Sequence, residues 1–214
     1  MPNGESPCQD GPLLIDGPAG QLELQLNYST GCPASRPVTV ICHPHPLYGG
    51  SLTNKVVHML GRAANDLGLA TVRFNFRGVG KSAGKFDDGR GETEDLVAVV
   101  NWVRQAHPNC PIWLAGFSFG AYIALRGHQR VGAERLLLVA PPVTLYDLSD
   151  APSVDIPWWV IQGGQDEVID PLAVDRWVKQ QPMPPVYEWF EPGSHFFHGQ
   201  LNYLCDFVKQ AWQG

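Results

Sequence analysis

Short apolar runs alternate along the chain with stretches in which apolar residues recur every three or four positions. Leu13-Leu14-Ile15 and Leu22 to Leu26 flank the turn residues Gly17-Pro18-Ala19-Gly20, and Leu22, Leu24 and Leu26 alternate with Glu23 and Gln25. That period of two predicts an antiparallel N-terminal hairpin with one face in water. Farther on, the runs 38–42, 69–74, 112–115, 136–140 and 158–161 lose the alternation, as strands covered on both faces do. Val186 to Phe190 reads as one more strand. Between the runs, Val56, Leu60, Ala63 and Leu67 form a helical stripe, as do Leu96, Val99, Val100 and Val103, and Leu201, Leu204, Val208 and Trp212. Glu92, Glu94 and Asp95 suit the positive start of the second of these helices. Strands alternating with helices predict an α/β fold with a doubly wound, mostly parallel sheet and right-handed crossovers. Repeats, low-complexity tracts and linkers are absent from the sequence. The expectation is one domain over residues 13–214 behind a flexible segment, 1–12, that is polar and rich in Pro and Gly.

Composition narrows the class without naming a chemistry. With 214 residues, 44% of them hydrophobic and 17% charged, the chain has ordinary globular composition. Its net charge of −6 argues against a nucleic-acid partner, which needs a basic surface. The five cysteines, Cys8, Cys32, Cys42, Cys110 and Cys205, are odd in number and lack a C-x-x-C pair. They predict reduced thiols rather than a disulfide framework or a zinc site. The N-terminal residues lack the basic start and apolar run of a signal peptide, and no stretch is long enough to span a membrane. A cytoplasmic protein is expected; oligomeric state is not legible.

Candidate chemistry centres on Gly116-Phe117-Ser118-Phe119-Gly120. A bare G-x-S-x-G is a weak signal, but this one follows the apolar run 112–115 and precedes a helical segment that begins near Ala121. A serine at a strand-to-helix turn is held in a strained backbone with its hydroxyl lifted above the sheet, and the flanking glycines remove side chains that would collide there. A serine hydroxyl needs a base, and the base needs an orienting carboxylate. Of the histidines after Ser118, His128 lies about three helical turns away, His195 follows the strand 186–190, and His198 sits near the last helix. His195 is the favoured base, with His198 second. In Gly163-Gly164-Gln165-Asp166-Glu167, Asp166 comes first after a tight glycine turn at a strand's carboxyl end, where functional groups collect in open sheets. Glu167 and Asp170 are the fallback acids.

The segments HPHPLYGGS (43–51), FNFRGVGKSAG (74–84), GFSFG, GGQDEVIDP (163–171) and GSHFFHG (193–199), in this order, resemble small, lidless bacterial members of the α/β-hydrolase superfamily. The resemblance runs from Leu13 to the C-terminus and implies a serine nucleophile without specifying a substrate. It implies an oxyanion hole made by the N–H of Phe119 and by an N–H of the loop after strand 38–42. Pro44 and Pro46 have no N–H; matching the family's turn residue by residue places the second donor at His45, with Leu47 and Tyr48 open. The pair His43 and His45 offers two metal ligands but no third, so no metal and no cofactor are expected. Gly80-Lys81-Ser82 lacks the upstream glycine of a phosphate-binding loop, and Arg77 is left between substrate contact and a carboxylate partner. Only Pro141 to Pro157 separate two of the strands, too short for a cap, so Tyr48, Phe117, Tyr146 and Phe196 are candidate walls of an open pocket. The expected function is a serine esterase or thioesterase acting on a small acyl substrate through an acyl-enzyme. The alternatives are an acyltransferase or peptidase with the same residues, or a binding protein that keeps the fold.

Overall fold

A computed structural model describes residues 9–28 and 35–213. The expectations for residues 1–8, and for Cys8 and Cys32, lie outside this range. The described residues form eight strands and five α-helices. They are β1 (Gly11–Gly17), β2 (Gly20–Tyr28), β3 (Val38–Cys42), α1 (Lys55–Asp66), β4 (Ala70–Phe74), α2 (Arg90–Ala106), β5 (Ile112–Phe117), α3 (Phe119–Gly127), β6 (Arg135–Val139), β7 (Trp158–Gly163), α4 (Pro171–Lys179), β8 (Val186–Phe190) and α5 (Leu201–Gln213). The strand order is β1-β2-β4-β3-β5-β6-β7-β8. β1 and β2 form the expected hairpin and join β4 antiparallel; every later pairing is parallel.

Residue alternation sorts the central strands between two cores. From β3, β5 and β6, Val40, Leu114, Leu136 and Leu138 face one core, where α2, α3 and α4 contribute Leu96, Ile123 and Val174. Ile41, Ala115, Leu137 and Val139 face the other, with Leu60 of α1 and Leu204 and Val208 of α5. Covering both faces removes the need for a polar side, which is why these strands show no alternation in sequence. In β2 only every second residue, Leu22, Leu24, Leu26 and Tyr28, is buried, so its alternation survives. Helix α4 was not among the stripes read from sequence; only its Val174 and Val178 are buried, too thin a stripe to register. Among the described residues no helix is long and apolar enough to cross a membrane. The loops at the carboxyl edge of the parallel strands carry the candidate site residues.

Candidate active site

Ser118 sits between β5 and α3 with φ 54° and ψ −120°, a left-handed conformation that is strained for a side chain with a Cβ. The neighbouring chain is packed backbone to backbone. A Cβ on Gly116 would run into the carbonyl of Gly120, and one on Gly120 into the carbonyl of Cys42. Glycine is therefore required on both sides of the serine.

The loops after β7 and β8 bring Asp166 and His195 to this turn. His195 Nε2 lies 3.2 Å from Ser118 Oγ, and Nδ1 lies 2.8 Å from Asp166 Oδ2. Both side chains are almost fully buried. An ionised carboxylate can only accept, so Nδ1 carries the ring proton and Nε2 is left to accept from the serine hydroxyl. Asp166 Oδ2 also accepts from Gln162 Nε2 at 2.9 Å, and Oδ1 accepts from the N–H groups of Val168 and Ile169, each at 2.8 Å. Burial by itself would raise the Asp166 pKa. The His195 hydrogen bond and charge, with the Ile169 and Val168 amides, outweigh it and hold the carboxyl below its ordinary range.

Two residues on this side make contacts that the sequence reading did not anticipate. Gln162 is fully buried, donates to Asp166, and leaves its Oε1 without a partner among the described residues. Its signal was a polar residue inside an otherwise apolar strand. Glu167, read only as a fallback acid, accepts the backbone N–H of His195 at 3.1 Å and so holds the loop rather than the ring. Asp170 caps α4 by accepting from the Leu172 N–H. His198 is exposed, and His128 is buried with Nδ1 against the Leu125 carbonyl. Neither has a hydrogen bond to Ser118.

On the opposite side, the loop after β3 turns through a single 3-10 turn, Pro46–Tyr48. His45 Nδ1 accepts from the Leu47 N–H, and the His45 carbonyl accepts from Tyr48 and Gly50. Leu47 and Tyr48 are thereby committed inside the loop. Among the described residues the N–H of His45 has no acceptor. Phe119 opens α3, where a helix's first N–H groups lack intrahelical partners.

His43 is fully buried and pins this loop. Its Nδ1 bonds the Pro44 carbonyl at 2.6 Å, and its Nε2 accepts from the Phe76 N–H at 3.0 Å. Burial pushes its pKa down to about 4, so the ring is neutral, and both nitrogens are taken, leaving no lone pair for a metal. Arg77 makes a bidentate pair with buried Asp95, settling its open reading in favour of a carboxylate partner. The proposed walls separate by depth. Phe117 is fully buried with its ring 5.0 Å from that of His195. Tyr146 stacks on Tyr122 at 4.6 Å and lies 5.6 Å from Phe119. Phe196 stands edge-on to His195 at 4.9 Å, and Tyr48 packs on His45 at 4.7 Å while remaining exposed.

Comparison with known proteins gives a consistent set. Residues 40–127 match the α/β hydrolase fold family. An uncharacterized protein of Rickettsia prowazekii is 36% identical over 195 residues, covering 86% of this chain and 81% of the relative. The structure of an α/β serine hydrolase homologue from Coxiella burnetii matches with a TM-score of 0.89 at 45% identity, over 94% of this chain and 96% of that one. An α/β serine hydrolase without a lid, from Xanthomonas campestris, matches with a TM-score of 0.92 at 42% identity, over 99% and 97%.

Proposed function

Since this chain belongs to the α/β-hydrolase family of serine hydrolases, we propose that it cleaves a small acyl ester or thioester through an acyl-enzyme formed on Ser118. The observation that carries this reading is the unbroken run of hydrogen-bond distances from Ser118 Oγ through His195 to Asp166. In the proposed reaction the Ser118 oxygen attacks the acyl carbon as His195 Nε2 takes its proton. Asp166 holds the ring and stabilises the imidazolium. The negative charge that develops on the former carbonyl oxygen is received by the N–H groups of Phe119 and His45. Collapse expels the alcohol or thiol, which leaves with the proton from Nε2; water then repeats the sequence to release the acid and restore Ser118. No step requires a cofactor. The free cysteines Cys42, Cys110 and Cys205 fit a cytoplasmic setting.

A fluorophosphonate probe tests the nucleophile directly. It should label the wild-type chain and not Ser118→Ala, and turnover of p-nitrophenyl acetate should fall by about 10⁴-fold or more in that variant. An unlabelled wild type, or a Ser118→Ala chain that keeps its turnover, overturns the reading in favour of a binding protein on the same fold.

A further inference from the structure

Gln162 stands on β7, one residue before its end, and is fully buried. Its Nε2 donates to two acceptors, Asp166 Oδ2 at 2.9 Å and the Gly163 carbonyl at 3.2 Å. Its Oε1 is buried with no hydrogen-bond partner among the described residues. Turning the amide over would set Oε1 against those same two acceptors, so the surroundings allow one orientation. A buried oxygen without a partner is unfavourable, and an apolar side chain of similar length would avoid it. The neighbouring Val160 and Ile161 are apolar and fully buried, so packing does not call for an amide at this position. What the amide adds is the bond to Asp166.

That bond falls on a particular atom. Asp166 Oδ1 takes the Val168 and Ile169 N–H groups, whereas Oδ2 is shared between Gln162 Nε2 and His195 Nδ1. Two donors on one oxygen divide its strength as an acceptor, so Gln162 competes with the ring that Asp166 orients. The other nitrogen of that ring, Nε2, stands 3.2 Å from Ser118 Oγ, at the long end for a hydroxyl donor. A ring drawn closer to Oδ2 would move away from Oγ. Glu167 does not oppose such a shift at the ring, because it holds the His195 backbone N–H.

We infer that Gln162 is a positioning residue: by sharing Asp166 Oδ2 it keeps the His195 ring from being drawn toward the carboxylate and holds it within reach of Ser118. Its effect on rate rests on the proposed hydrolase reaction; its effect on the ring does not.

Gln162→Met removes the donor and the unpartnered oxygen while keeping the length of the side chain. The proton resonance of the His195 Nδ1–H, assigned by its loss in His195→Ala, should move downfield in this variant, the mark of a shortened hydrogen bond to Oδ2. With p-nitrophenyl acetate, kcat should fall about tenfold, the equivalent of one hydrogen bond, while KM changes by less than about twofold. The urea midpoint should move little, since the lost bond to Asp166 and the removed unpartnered oxygen offset each other. Gln162→Asn, whose amide stops one carbon short of Oδ2, should shift the resonance the same way and carries the test if the Met chain does not fold. A resonance that stays in place or moves upfield, a kcat at or above the wild-type value in a folded variant, or a kcat loss matched by the loss of folded protein would each overturn the inference. A downfield shift in a chain whose wild type hydrolyses no ester would uphold the positioning of the ring and overturn the reaction instead. Wild-type turnover with a resonance that no variant moves would do the reverse.

Discussion

The two sides of the Ser118 hydroxyl are built from different chemistry. On the proposed base side, Asp166 accepts four N–H bonds, from His195, Gln162, Val168 and Ile169, and its carboxyl group is buried. On the proposed oxyanion side, a neutral His43 and a set of aromatic contacts hold a loop whose His45 N–H has no acceptor among the described residues. One side stabilises a charge present before any substrate arrives. In the proposed reaction the other would receive a charge that exists only during turnover; the His45 N–H there has no acceptor among the described residues, and the loop is fixed by neutral groups.

Removing the charge from the base side should have the largest effect. Asp166→Asn keeps the size of the side chain but can bond the wrong ring tautomer, and kcat on p-nitrophenyl acetate should fall about 10⁴-fold with the fold retained. A rate near wild type would mean that the buried carboxylate is structural and would erase the contrast between the sides.

The oxyanion side can be probed one N–H at a time. His45 has φ −55°, a value proline adopts without strain. His45→Ala removes the ring and keeps the N–H; His45→Pro removes both. The Pro variant should be slower than the Ala variant by about 100-fold to 1000-fold in kcat, the usual loss for one oxyanion donor. Equal rates would move the donor elsewhere.

A smaller effect separates the two sides by pH. His43 keeps its neutral form down to about 4, while an unfolded histidine takes up its proton near 6.5. Stability from this burial is complete above 6.5 and declines as the pH falls toward 4, by about 3 kcal/mol in all. Asp166, held below its ordinary range, contributes stability that is lost only at lower pH, where an unfolded carboxyl protonates. Urea unfolding of the wild type and His43→Asn across this range should show the steeper slope in the wild type alone. Parallel slopes would show that His43 is not the group that loosens the oxyanion side first.

Much of this was legible in sequence because both the fold and the elbow write themselves locally. Doubly covered strands need unbroken apolar runs, and a serine at a strained turn needs glycine two residues to either side, so β5 and Ser118 announce each other. Strand order does not have a local signature; nothing in the runs themselves says that β4 lies outside β3. The alternatives in the loop after β3 stayed open because proline content excludes two donors but cannot show that the His45 ring takes the Leu47 N–H. The contacts of Gln162, and of Glu167 named only as a fallback acid, stayed illegible for the same reason. Their contribution depends on which atom a side chain reaches; a polar residue in an apolar strand or a second acid in a turn stands out in sequence, but nothing local names its partner.

Gly163 has a consequence for how this architecture can change over generations. A Cβ there would run into the carbonyl of Gly193, which itself accepts the Gln165 N–H at 2.9 Å. The turn that carries Asp166 and the loop that carries His195 are thus fastened to each other at their bases, independently of the chain that connects them. The stretch from α4 to the start of β8 is a closed detour between two fixed points, and doubling the length of a flexible loop within it adds only about 0.6 kcal/mol of closure entropy. New segments inserted near Gln181-Pro182 would leave the spacing of Asp166 and His195 untouched.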